Sequence, residues 1–595
     1  MKRIFGLLIG AGLAGTAISL YLTWSGPKVL TTVEAALLPG TATVSGTVNS
    51  PKPFQAAKVY FRSPEKRMLY MVYTVGGHYQ AMHLFPGNYE VSVKAKGLDS
   101  EVTKLTLQAG QNATVNVSLR ESSETDLKKD VEYLPFDEIY PPGPGLAVAK
   151  KTCIYCHGEN FLPARHLNAE QWNAGMDYMT GKNNRLGTWI QPQDMNQQER
   201  EALLQYLVQN FGPNSRTRAV KIETFMPVDE TKLGKAMYIE YYFPIDPPGR
   251  GVNDPEYASL SGVRGRRRVG QDPQLDQDGN VWVTDRGYPN RICKLNPRTG
   301  EWKEYLTPEP QAGVHDLNID KNGTVWVPEN EGIPPGKPKL QAFNPKTEKW
   351  ETSYLFNSDN VIPTDTFLHA QSIAIDSKQN IYAVLIQGNG LGKWNRETKK
   401  MTTYRMPSPS SMPYGVIVDK NDNVWIAESR RSKVVKLDAK TGAMTEFAPP
   451  TQPALIRRLN VDVDGTTIWF GLYSAGKLER LDQTTGKITE YTIPHQGSQP
   501  YDEVVQDNGE VWIADGSQGG ALIKFNPKNE TFAYFPSPQN ADMPKIRLTR
   551  EGAVWYSPRS SREYPGLGVL YPDITKITTL AAYRRTAPGG RWVGN

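Results

Sequence analysis

Two cysteines and a histidine make up the reactive part of the pentapeptide Cys153-Ile154-Tyr155-Cys156-His157. Thiols separated by two residues can each form a thioether with one vinyl group of a single haem. The histidine that follows is then held beneath the iron as its proximal ligand. A redox dithiol of this spacing wants a βαβ setting, and a structural zinc site wants a second Cys/His pair. The other cysteine, Cys293, stands alone and far away, so one covalent haem c is the expected cofactor. One-electron transfer is the chemistry it implies. A thioether ligand on the other face of such an iron raises its potential. Met176, Met179 and Met195 are the candidates, followed by His166 or an open position.

The flanks supply elements that position these residues. Leu146–Thr152 reads as a short helix after Pro141-Pro142-Gly143-Pro144. Asn168-Ala169-Glu170-Gln171 is a cap-like start to a second helix, and Asn196 with Glu199 in the capping-box position starts a third. Gly212-Pro213 ends it. Helix, haem loop, helix, helix over residues 141–214 resembles a class I cytochrome c domain. The resemblance implies a methionine ligand seven residues after a helical tryptophan, which here is Met179 after Trp172.

From about Gln271 the chain repeats itself. Trp282, Trp326, Tyr382, Trp425, Trp469, Trp512 and Trp555 hold one equivalent position, at intervals of 44, 56, 43, 44, 43 and 43 residues. Each unit has a polar pair, a strand, an Asp-x-x-Gly type turn and a Val-Trp-Val strand. Two further strands follow, separated by a Thr-Gly turn. Seven such units predict a seven-bladed β-propeller over residues 271–582, with insertions at Glu331–Lys339 and near Asn357–Thr366. "DQDGNVWVTD", "DKNDNVWIAE" and "DNGEVWIAD" resemble the virginiamycin B lyase (streptogramin lyase) family of propellers.

The polar pairs are expected to line one mouth of the channel. Gln271, His315, Gln371, Tyr414, Arg457 and Tyr501 form one level, with Asp272, Asp316, Arg458, Asp502 and Lys545 beside them. Fourteen residues after the first level come Asp285, Glu329, Glu428 and Asp515. The lyase resemblance implies a general-base histidine and a Mg2+-binding glutamate fourteen residues later, and His315 and Glu329 stand at that spacing. The metal-binding acid the family has two residues before the histidine is replaced by Gly313. The bland alternative has His315 as a hydrogen-bonded channel residue and Glu329 paired with a cation. His369 and His495 fall off these positions and read as loop residues.

Residues 41–120 alternate as β-strands do. "SGTV…AAKVYF…GHYQAMHLFPGNYEVSVKAKG" resembles the carboxypeptidase regulatory-like β-sandwich, a binder or spacer in which His78 and His83 read as ordinary strand residues. Residues 121–140 read as a linker, 215–270 as a linker and lead-in, and 583–595 as a tail. Met1-Lys2-Arg3 followed by the apolar run Ile4–Trp24 reads as an export signal within residues 1–36. It is long enough to remain as a membrane anchor with the body in the periplasm, although Val33-Glu34-Ala35 offers a late cleavage site.

A net charge of +6 with 22% charged residues gives no case for nucleic-acid binding. The short basic run Arg264, Arg266, Arg267 and Arg268 reads as a solvated loop or a face for an acidic redox partner. The expected fold is therefore multidomain and mainly β: a propeller, a small all-α cytochrome c domain and a sandwich. The expected function is an exported c-type haem protein for electron transfer, its propeller binding a small-molecule substrate or a redox partner. The alternatives are a Mg-dependent carbon-oxygen lyase and a non-catalytic binding scaffold.

Overall fold

The computed structural model describes residues 37–122, 132–181, 189–190, 194–221, 226–251, 267–517, 520–539, 541–559, 564–587 and 591–592. The expected signal or anchor of residues 1–36, Arg264 and Arg266 lie outside the described residues.

The Asp-x-x-Gly turns explain why the repeats fold alike. In the first unit Asp276 Oδ1 accepts from the backbone N–H of Asp278 and Asn280 at 2.9 and 2.8 Å. Its Oδ2 accepts from Asn280 Nδ2 at 2.9 Å and Trp282 Nε1 at 3.0 Å. One carboxylate thus holds a turn and fixes the indole of the following strand. Asp320 and Asp419 bond Trp326 and Trp425 in the same way, and Asp376 bonds the Tyr382 hydroxyl. Gln506 and Thr549 replace the aspartate in later units, and there Trp512 Nε1 and Trp555 Nε1 are buried without partners.

The described residues form six separate four-stranded propeller sheets, running from Gly270–Leu275 to Thr531–Pro536. This corrects the expected seven blades. The Trp555 unit contributes only the three strands Ile546–Leu548, Val554–Tyr556 and Gly566–Tyr571, which end a thirteen-stranded sheet. The physical reason is Met237–Tyr242, a strand from before the repeats with all six residues buried. It pairs antiparallel with Gly566–Tyr571 on one side and with Met68–Tyr73 of the N-terminal unit on the other. Within it Glu240 is fully buried and accepts hydrogen bonds from Tyr242, Tyr556 and Gln539.

The N-terminal unit, residues 42–121, is the expected β-sandwich-like domain, and it packs directly on the rest of the chain. Its core residues Met68, Tyr70 and Phe85 share one apolar cluster with Tyr241, Trp555 and Leu567. Residues 215–270, expected as linker and lead-in, likewise include this fully buried strand.

Residues 132–221 form a small helical unit. Its helices are Phe136–Ile139, Pro144–Ala149, Tyr155–His157, Ala169–Met179 and Gln197–Phe211, with a π-turn at Lys150–Ile154. Both expected capping boxes form, Asn168 with Gln171 and Asn196 with Glu199. An all-α cytochrome c domain at 141–214 is not evident, which corrects that expectation. The helices are short, and the unit is closed by the strand pair Glu132–Leu134 and Arg218–Val220. Gly145 lets two helices cross closely, since a Cβ there would lie 2.2 Å from Tyr206 Cβ.

Candidate functional site

The polar pairs reach the channel because the first strand of five of the six sheets carries a β-bulge. In the first sheet Gly270 pairs with Asp285 and Pro273 with Val283, so Gln271 and Asp272 together oppose Thr284 alone. Arg457 and Arg458 oppose Gly471 in the same manner. A bulge re-aims side chains that strict alternation would send to opposite faces.

The residues expected at the mouth touch across sheets. Tyr414 and Tyr501, from two sheets, share a hydroxyl hydrogen bond at 2.6 Å, while Arg286 donates to Gln271 within the first unit at 3.3 Å. One layer in, Lys545 bridges Asp316 and Asp272 at 2.6 and 3.2 Å. Arg547 bridges Asp272 and Asp502, and Arg458 reaches Asp316 at 3.0 Å. Burial opposes ionisation of Asp316, but Arg458 and Lys545 hold its carboxyl well below the usual carboxylate range. Three cations against three carboxylates make a charge-balanced plug that ties distant sheets together.

His315 belongs to this plug. Its Nδ1 faces Asp316 Oδ1 at 2.5 Å, and the Gln371 side-chain amide donates to Nε2 at 2.7 Å. Burial pushes the imidazole well below its ordinary range despite the carboxylate, so it is neutral with both nitrogens engaged. Glu329 turns away into its own sheet, where it accepts from Gln341 Nε2 at 2.6 Å and from Lys339 N at 3.0 Å. Burial raises its carboxyl to about 7. The two residues therefore do not converge on one metal. Among the described residues no cluster of three His, Cys, Asp or Glu side chains forms a metal site, so the arrangement does not fit Mg2+. Asp285 and Asp515, expected in the same ring, cap backbone N–H groups of their own sheets.

The CxxCH turn sits over this mouth. Arg457 Nη2 donates to the Cys156 carbonyl at 3.1 Å, satisfying an orphan acceptor of the last helical turn. The Tyr155 hydroxyl donates to Ser429 O at 3.3 Å. Gly158 has φ +77°, and a Cβ there would meet Gln499 Nε2 at 2.7 Å. Arg430 adds a second clamp, pairing with Asp194 at 3.0 Å and donating to Trp189 O at 2.5 Å. Trp189 and Arg430 also line a cavity of about 280 Å³ between the helical unit and the propeller.

The thiols are free, half-buried and on one helical run. Cys153 packs with the core of the helical unit, and Cys156 with the mouth residues Tyr414, Tyr473 and Tyr501. Burial raises Cys153 to about 11 and also raises Cys156, which keeps both thiols neutral. The His157 ring stacks on Phe161 with centroids 3.9 Å apart. Met176 and Met195 are buried, and Met179 half-buried, in the same cluster as Cys153. His166 is engaged at both nitrogens, by Ser215 at 2.8 Å and Thr217 at 2.9 Å. Cys153, Cys156 and His157 thus share one helical run, with neither thiol committed to a disulfide.

Sequence reasoning placed Arg457 at the mouth but not its contact with Cys156. It also missed Arg430, Tyr473, Asp542 and Arg559. Arg286, Tyr473 and Arg559 each stand four residues after their unit's aromatic, a spacing that could have marked them, whereas Arg430 lies one residue further on.

Known proteins resemble parts of the chain. Residues 362–525 match the virginiamycin B lyase family and residues 43–120 the carboxypeptidase regulatory-like domain. The first range leaves out His315 and Glu329. No curated protein matches the chain. Among solved structures, virginiamycin B lyase from Staphylococcus aureus is 21% identical, with a TM-score of 0.44 over 51% of this chain and 94% of its own. A streptogramin B lyase is 22% identical, with a TM-score of 0.46 over 56% of this chain and 97% of its own. The WD40 propeller of Doa1 is 10% identical, with a TM-score of 0.41 over 52% and 95%. The chain thus combines a virginiamycin B lyase-like propeller with a carboxypeptidase regulatory-like domain.

Proposed function

We propose that the propeller is a binding scaffold whose channel mouth takes a polar small molecule or the contact group of a redox partner. In this reading Cys153 and Cys156 would hold one haem c on the helical unit, His157 and Met179 would ligate its iron, and binding would be linked to electron transfer in the periplasm. An N-terminal membrane anchor belongs to the same proposal. The family likeness supports the scaffold; the haem rests on the pentapeptide and its placement. The observation that carries the reading is Arg457, which joins the Cys156 carbonyl to the mouth tyrosines. Bound haem would supply one-electron chemistry. The chain's own residues hold the attachment turn rigidly over the channel.

The test is production of the full chain with cytochrome c maturation, followed by haem staining and a reduced-haem spectrum. One covalent haem per chain, lost in Cys153→Ser and Cys156→Ser, is expected, and Met179→Ala is expected to change the reduced spectrum. Absence of covalent haem from the matured chain would overturn the electron-transfer part and leave the scaffold.

A carbon-oxygen lyase is the second reading, favoured by the family match over 362–525. The engaged nitrogens of His315 and the inward turn of Glu329 weigh against it. A Mg-dependent elimination abolished by His315→Ala would reinstate it.

A further inference from the structure

Five cations around the channel mouth are held by carboxylates. Arg458, Lys545 and Arg547 share Asp272, Asp316 and Asp502. Arg559 is held by Asp542, and Arg430 by Asp194. Arg457 has no carboxylate within ion-pair distance among the described residues. Its hydrogen-bond acceptor is the Cys156 carbonyl, and its Nε is buried without a partner. The guanidinium lies over the rings of Tyr414, Tyr473 and Tyr501, at 4.9, 5.1 and 5.6 Å from their centroids. A second cation, Arg559, stands 5.3 Å over Tyr501.

A half-buried guanidinium with one main-chain acceptor and no paired carboxylate lacks a counter-charge, and its planar fork matches a carboxylate. The Tyr414–Tyr501 pair adds a donor, since only one of its two hydroxyl protons is used between the rings. We propose that Arg457, with Tyr414 and Tyr501, is a carboxylate-binding site at the mouth of the propeller. The proposal deepens the reading of this mouth as a ligand site and does not depend on haem. Tyr414 agrees with it: burial alone would raise its hydroxyl, but Arg457 and Arg458 bring it down to about 8. The cations of the patch therefore lower the cost of placing negative charge beside them.

The carboxylate has two possible sources, a free acid entering the channel or the carboxylates of a haem carried on the adjacent turn. The test uses the full chain made with and without haem maturation, and succinate as the probe in calorimetry. The haem-free chain is expected to bind succinate. Arg457→Met is expected to weaken binding roughly tenfold or more, and Tyr414→Phe/Tyr501→Phe less, with unchanged thermal unfolding as the fold control. Equal binding by the haem-loaded chain identifies the free acid as occupant. Loss of binding on loading, with a midpoint potential shifted by Arg457→Met, identifies the haem carboxylate. If the haem-free chain does not bind succinate, or Arg457→Met binds it as the parent does, the carboxylate site is refuted. The lack of covalent haem in the matured chain would count only against the electron-transfer reading.

Discussion

Arg457 and Cys156 are 301 residues apart in sequence and joined by one hydrogen bond of 3.1 Å. The bond places a motif made for covalent cofactor attachment on the rim of a channel built by a separate set of repeats. Neither part carries this relationship in its own pattern.

The fit between the turn and the rim depends on Gly158. Its left-handed backbone costs any other residue roughly 1–2 kcal/mol, and a Cβ would also displace Gln499. Gly158→Ala is expected to loosen the turn without unfolding the propeller. Faster amide exchange across residues 150–161, with sheet amides unchanged, is the measurement; unchanged exchange there would refute the docking.

Gly145 performs a similar service inside the helical unit. A methyl group at this position would press on Tyr206 Cβ and on the Ala202 carbonyl at 2.6 Å. Gly145→Ala should therefore cost about 1–3 kcal/mol by overpacking. The signature is faster exchange in Pro144–Ala149 and Gln197–Phe211.

The aspartate turns predict an asymmetric pair of substitutions. Asp419→Ala strands Trp425 Nε1 and two turn N–H groups, each worth about 1–3 kcal/mol when buried unpaired. Gln506→Asp gives the partnerless Trp512 Nε1 an acceptor and should stabilise its sheet by about 1 kcal/mol. Thermal unfolding of both variants against the parent decides the matter, and equal shifts of one sign would contradict the assignment.

Burial raises Glu479 from 4.5 to about 9, and Glu490 beside it adds to the rise. Below pH 4.5 the group is protonated whether folded or unfolded and contributes nothing. Between 4.5 and 9 the unfolded chain releases the proton and the folded chain keeps it, so its contribution turns progressively unfavourable as pH rises. Glu479→Gln should therefore gain stability relative to the parent from pH 5 to 9. A pH-independent difference in denaturant midpoints would show that the carboxyl titrates normally.

The repeats, their aromatic positions and the two capping boxes were legible because each rests on short-range chemistry with a fixed spacing. The mouth levels were legible for the same reason, since a polar or aromatic residue recurs at the same place in each unit. Met237–Tyr242 was not: a fully buried strand has no alternation, and its partners lie far away in sequence at 68–73 and 566–571. The acids fourteen residues on were misplaced because spacing fixes a level along the barrel but not the side of the strand. Glu329 shares His315's level yet faces into its sheet. In the helical unit, the motif spoke for the chemistry more clearly than the short helices do for a domain type.

The shared strand has a consequence for how the motif is presented. Residues 132–221 leave the sandwich at one end and rejoin the same continuous sheet at Met237 at the other, so both ends of the insert are fastened to one body. Separation from the rim is then an intramolecular opening rather than a dissociation. A tether of this kind keeps the insert at an effective concentration of about millimolar. A few hydrogen bonds are then enough to keep the insert seated on the rim.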